Sequence, residues 1–355
     1  MKMTALLIAL CVLLSGCGLW MNGSYSKVVP HTEPSKQEAK PVIAISGYDQ
    51  LKKELAAAVE DGETALMLFM QYPVEVIARE DLKRAVKDIK KSNPFAAYAV
   101  KEIEYEFGTT GAQKAASVQI TYFENRVQAD KILRVESLAQ VEELVAQRLK
   151  DCAAGLVLHF EHQEQVDYAQ MVADYALQYP QHVMETPEVA VSLYPEQGEK
   201  QIVELKFAYR TSREELRALQ NKVEPVFSSA AQYVAGEWSE TEKAERLYAF
   251  LMDRYSSYHI QTSITPAYSL LLHGVGDGNA FAAVYAAMCR QAEVDCRVVT
   301  GTRMGQPWVW NVLQIDGVYY HLDLLRCDET GGFACFTGDK MTDYVWDYAL
   351  YPSAS

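Results

Sequence analysis

The stretch that decides the fold begins Gly274-Val275-Gly276-Asp277-Gly278-Asn279-Ala280 and continues as an apolar run to residue 291. Arg297-Val298-Val299-Thr300-Gly301 follows, then Trp308-Val309-Trp310-Asn311-Val312-Leu313. Asp316-Gly317 and Val318-Tyr319-Tyr320-His321-Leu322-Asp323 close the stretch. A glycine-rich turn ahead of residues 280–291 predicts a turn feeding a buried helix. The next two runs predict strands, and Asp-Gly between alternating residues predicts a hairpin that returns antiparallel. Upstream, Ser239-Glu240-Thr241-Glu242 reads as a capping box. Ala244, Leu247, Tyr248, Leu251 and Met252 then recur at helical spacing. A loop is expected between that helix and Leu270.

Residues 239–352 resemble the transglutaminase-like domain, a papain-like thiol fold. That family presents a Gly-Val-Cys-Glu-Gly-Tyr-Ala turn, an Arg-Val-Val-Thr-Gly strand, then His-Ala-Trp-Asn and Asp-Gly-x-Trp-Tyr-x-x-Asp. Residues 275–280, Arg297 to Gly301, Trp310 with Asn311, and Asp316, Gly317, Tyr320 and Asp323 fill these elements. Phe336, Trp346, Tyr351 and Pro352 fit the closing pattern. The resemblance implies a Cys nucleophile favoured by a helix N-terminus, a His base and an Asp that orients it. Carried onto this chain, the Cys position is Gly276, the His position is Trp308, and the Asp is retained as Asp323. Glycine offers no nucleophile. An indole offers only an N–H donor.

Substitutes are few. Cys289, thirteen residues beyond Gly276, reads as a small buried hydrophobe; Cys296 reads likewise, and Cys152 stands alone. Cys327 and Cys335 flank a glycine-containing turn where a disulfide and two free thiols are both open readings. His273 precedes Gly276 by three residues, and His321 precedes Asp323 by two, which predicts one shared strand face. The spacing of His273, Asp277, His321 and Asp323 matches no metal-ligand motif, so neither metal nor cofactor is expected. Trp308, Trp310, Tyr319, Tyr320, Asp323 and Asp277 are the candidate ligand-binding residues. Either they line a cleft for a peptide or a sugar, or Trp308 fills the old cleft.

The preceding region reads as a duplication. The helical pattern from Tyr48 to Asp61 aligns, at an offset of 90 residues, with that from residue 138 to Asp151. Leu66-Met67-Leu68-Phe69 aligns with Leu156-Val157-Leu158-His159. Second helices at 79–92 and 165–178 correspond, as do strands at 99–107 and 116–123 with 187–194 and 201–209. The unit is helix, strand, helix, strand, strand, twice. His159, His162 and His182 are scattered without ligand spacing. The expected class is therefore α+β: repeats at 41–133 and 134–211, a helical connector at 212–238 broken at Pro225, and a transglutaminase-like domain at 239–355.

The first forty residues carry no core. Lys2 precedes an apolar run at 3–14, too short to span a bilayer and of signal-peptide length. Leu14-Ser15-Gly16-Cys17 resembles the bacterial lipobox, which implies cleavage after residue 16, acylation of Cys17 and an extracytoplasmic, lipid-anchored protein. Residues 17–40 are polar and read as a tether. In the whole chain of 355 residues, 33 Lys+Arg face 47 Asp+Glu, a net charge of −14, with no basic run, which argues against nucleic acid as a partner. The expected function is a non-catalytic surface lipoprotein that binds a cell-wall peptide, a glycan or an envelope protein, or serves as a scaffold. The alternative is a thiol-dependent acyl-transfer enzyme with an unrecognised nucleophile.

Overall fold

A computed structural model describes residues 43–124, 132–161, 166–258 and 265–351. The leader, Cys17, the tether and His162 lie outside them. The first unit runs β1 (Ile43–Ile45), α1 (Tyr48–Glu60), β2 (Ala65–Met70), α2 (Glu75–Ser92), α3 (Pro94–Ala99), β3 (Val100–Thr110), β4 (Gln113–Tyr122). The second runs β5 (Leu133–Val135), α4 (Leu138–Lys150), β6 (Gly155–Glu161), α5 (Tyr168–Gln178), β7 (Glu188–Tyr194), β8 (Lys200–Ala208). Their sheets have the same strand order, β1-β2-β4-β3 and β5-β6-β8-β7. In each, a helix carries the chain over to a parallel neighbour and a hairpin completes the sheet.

The duplication extends to register. Ile43 lies opposite Leu68, and Leu133 opposite Leu158, both pairs 90 residues apart. Leu51, Leu55 and Val59 of α1 are buried, and so are their counterparts Val141, Val145 and Leu149 of α4. Equal spacing of apolar residues on a 3.6-residue period buries equal faces.

Three details differ from the sequence reading. Each repeat begins with a strand of three residues, too short to show alternation, and β5 starts at Leu133 rather than after it. Helix α3, with Asn93 accepting from Ala96 N and Pro94 in the first turn, precedes β3. It packs toward the second repeat, with the Phe95 and His159 rings 5.0 Å apart and Tyr98 edge-on to Tyr194 at 5.3 Å.

The connector is not a spacer. Helix α6 (Arg213–Tyr233) runs unbroken through Pro225. A proline removes one backbone hydrogen bond and strains the turn before it. Burial of Leu216, Val223, Phe227 and Ala230 in the C-terminal core offsets that cost. After it come α7 (Glu240–Met252), β9 (Ser256–Ser257), α8 (Pro266–His273), β10 (Val275–Gly276), α9 (Gly278–Gln291) and β11 (Asp295–Arg303). β12 (Gln306–Ile315), β13 (Val318–Leu322), α10 (Leu324–Thr330) and β14 (Tyr344–Trp346) complete the unit. Helix α8 replaces the expected loop. Its signals were a Thr265 cap, Pro266 in the first turn and Gly274 as the left-handed C-cap at φ 77°.

Helix α9 is the centre of this unit, buried at every residue from Ala280 to Cys289. The sheet β13-β12-β11-β14 packs beside it. Among the described residues, no helix is long and apolar enough to cross a membrane.

Candidate functional site

The site is built where the N-terminus of α9 and the ends of β12 and β13 are presented. Asp277 caps α9, its carboxylate accepting from Ala280 N at 3.0 Å. A capping carboxylate suits the positive end of a helix, so Asp277 has a structural role rather than a ligand-facing one. Gly276 is buried in β10, beside Ser257. A Cβ placed there would stand 2.8 Å from Ala280 Cβ and 3.0 Å from Leu270 Cβ. The space for any side chain at this position is therefore closed by atoms near the backbone, which yield little.

Strand parity divides the aromatic residues. Val309, Leu313 and Ile315 of β12 face the cluster around α9, and the Asn311 amide donates to Ala282 O at 2.9 Å. Trp308, Trp310 and Val312 point to the opposite face, into a second cluster with Val299, Tyr344 and Trp346. Tyr319 belongs to that second cluster and Tyr320 to the first, so the two tyrosines cannot line one cleft. Trp310 is 1% exposed and Asp323 is 3% exposed. Neither presents a surface to a ligand, which corrects the expectation that both would. Gly301 permits this packing, since a Cβ there would stand 2.8 Å from Trp310 Cη2.

Two indole bonds tie β12 to the chain beside it. Trp310 Nε1 donates to His321 Nδ1 at 2.9 Å, and Trp308 Nε1 donates to Asp323 Oδ2 at 2.7 Å. Trp310 reaches His321 diagonally, since His321 pairs with Val312, whereas Trp308, beyond the β12–β13 pairing, reaches the N-cap of α10. Asp323 Oδ2 also accepts from Tyr344 OH at 2.7 Å, while Oδ1 accepts from Arg326 N at 3.2 Å and caps α10. Arg303 approaches at 3.8 Å and completes a ring of donors around the carboxylate. Burial, then the bond to Asp323, holds the Tyr344 phenol above its ordinary range. Trp308 therefore supplies a donor to Asp323, and an indole has no second nitrogen to move a proton.

His321 and His273 are separated by environment. His273 is exposed at the end of α8, and His321 is fully buried. Because an indole N–H only donates, Nδ1 of His321 is the acceptor and its proton sits on Nε2. Burial pushes this imidazole down to about 4.

The thiols are placed against reactivity. Cys152, Cys289, Cys296 and Cys327 are buried, and all five described cysteines are free, including Cys335. Cys327 Sγ donates to Ala334 O at 3.2 Å. Burial raises the thiols of Cys152, Cys296 and Cys327 and pushes that of Cys335 up to about 12. An activated thiolate requires the opposite shift. Among the described residues, no group of three or more His, Cys, Asp or Glu side chains is placed to hold a metal ion.

Residues 228–331 match the family model of the transglutaminase-like superfamily. This part of the chain is a transglutaminase-like domain. The match begins inside α6, in line with the packing of that helix against the domain core. Among solved structures, a TGase is similar at 11% identity and a TM-score of 0.27, covering 48% of this chain and 50% of that one. A cysteine-protease candidate from Cytophaga hutchinsonii is similar at 13% identity and a TM-score of 0.27, covering 48% of this chain and 70% of that one. A protease candidate from Parabacteroides distasonis is similar at 8% identity and a TM-score of 0.25, covering 73% and 40%. The chain thus spans half the length of the first of these structures. No curated protein matches it.

Proposed function

We propose that this protein is a non-catalytic, lipid-anchored scaffold of the cell envelope, whose transglutaminase-like domain keeps the fold and has lost the chemistry. The reading rests on one observation above all. The carboxylate that would orient a catalytic base is buried and accepts from Trp308, Tyr344 and the first turn of α10. Closure around Gly276 supports it, as does the upward shift of the buried thiols. Trp308 acts as a plug rather than as the wall of a binding cleft. The acyl-transfer alternative needs a thiolate, and no observation favours one.

Alkylation of the full chain with iodoacetamide at neutral pH tests this. Cys152, Cys289, Cys296, Cys327 and Cys335 are expected to react no faster than glutathione, and fully only after denaturation. One cysteine labelled selectively and fast in the native protein would restore the enzyme reading. The anchor is tested by metabolic labelling with a fatty-acid analogue in a bacterial host. Label and membrane retention are expected to disappear together in Cys17→Ser; retention of both would remove the anchor from the proposal.

A further inference from the structure

The two repeats differ most where their helices meet the solvent, and the difference is one of charge. In the first repeat, Tyr48 of α1 donates to Asp88 of α2 at 2.6 Å, and the Arg84 guanidinium lies 3.8 Å over the Tyr48 ring. That cluster bridges α1 and α2. In the second repeat the same place is an open groove of about 670 Å³ between α4 and α5. Leu138 stands where Tyr48 does, and at the same 90-residue offset Asp174 and Gln178 stand where Arg84 and Asp88 do. Neither the tyrosine nor the guanidinium is replaced in kind, so no side chain bridges the helices in that manner. Asp174 accepts only along its own helix, from Gln170 Nε2 at 2.8 Å.

The rim has also reversed sign. Lys52 and Lys53 of α1 correspond to Glu142 and Glu143 of α4, both exposed on the groove. With Asp167 and Asp174, four carboxylates surround an apolar floor that includes Val145 and Met171, and no Lys or Arg lines it. Apolar contact with a ring of one charge sign selects a ligand of matching shape and opposite sign. Where the first repeat places the Arg84 guanidinium, the second carries the opposite charge, Asp174, so a cation at this place would come from a ligand.

We infer that the α4–α5 groove of the second repeat binds a basic, partly apolar polypeptide segment of a partner protein, with an Arg or Lys side chain paired to the groove's carboxylates, Asp174 among them. This inference does not depend on whether the C-terminal domain is catalytic.

The test is fluorescence anisotropy of the full chain with a labelled twelve-residue peptide of alternating Arg and Leu. Binding is expected, and a Glu/Leu peptide of the same length is expected not to bind. Glu142→Lys with Glu143→Lys, which restores the lysines of the first repeat, is expected to weaken binding at least tenfold. The same charge change on the exposed β3 pair, Glu102→Lys with Glu104→Lys, is expected to leave it within twofold. Leu138→Tyr with Asp174→Arg and Gln178→Asp rebuilds the bridging cluster and is expected to abolish binding while thermal unfolding stays cooperative. Equal weakening by both charge-reversed pairs would mean general attraction to an acidic protein and would overturn the proposal. So would absence of binding, or displacement of the peptide by spermine at equal charge concentration, which would make the groove a polyamine site.

Discussion

Asp323→Ala is expected to destabilise the C-terminal domain by about 3–5 kcal/mol, the scale set by removing one partner from a buried, hydrogen-bonded charge. The substitution strands the Trp308 and Tyr344 donors in a site that is 3% exposed, and it uncaps α10. Each unsatisfied buried donor costs about 1–3 kcal/mol and a lost cap about 1 kcal/mol, not fully additive at one residue. Arg303 also loses a counter-charge. Asp323→Asn should be milder, because one oxygen remains to cap the helix while the amide cannot accept from both rings. Guanidinium unfolding followed by circular dichroism measures both. An Asp323→Ala midpoint within error of the wild type would mean that this carboxylate is not a structural anchor, and the plug reading would fall with it.

Acid is expected to weaken the same domain in a defined window, through His321. Its folded value of about 4 lies below the ordinary 6.5 because burial disfavours the imidazolium. A lowered value means that the unfolded chain takes up a proton first. The contribution of His321 is therefore complete above about pH 6.5 and declines as the pH falls toward 4, by about 3 kcal/mol in all. There is a structural reason as well, since protonated Nδ1 would turn a donor toward the Trp310 N–H. His182 adds loss in the same window. Burial, followed by Lys150 and Arg290, pushes it down to about 4, and Tyr175 OH lies 2.7 Å from its Nδ1. His321→Gln keeps an acceptor for Trp310 and does not titrate. Stability measured from pH 7 to pH 4 should fall less steeply in that variant. Parallel wild-type and His321→Gln curves would refute the assignment.

Some of the site was legible without coordinates and some was not. Motif order carries the expectation that Gly276 and Trp308 stand where the resemblance puts a Cys and a His. The Asp323 bond to Trp308 was not legible, because Trp308 lies beyond the β12–β13 pairing and the contact depends on where the fold places the start of α10. The separation of Tyr319 from Tyr320 was legible, since neighbours on a strand face opposite ways. The Asp323 cap was detectable: an Asp before Leu-Leu-Arg-Cys with Gly331 behind is a helix signature that the resemblance to a triad residue concealed.

The sequence by itself determined the duplicated α/β region and the transglutaminase-like domain, because both are periodic. Apolar residues recurring 90 apart bury equal faces, and turn, helix and hairpin follow local rules of glycine, capping and alternation. Only the tertiary structure decided that Leu270 and Ala280 close the space beside Gly276, that Trp310 turns inward onto His321, and that one repeat is bridged by Tyr48, Asp88 and Arg84 while the other carries an open groove. These outcomes depend on which side chains meet from distant parts of the chain. Contact of that kind is set by packing and register, which no local pattern encodes.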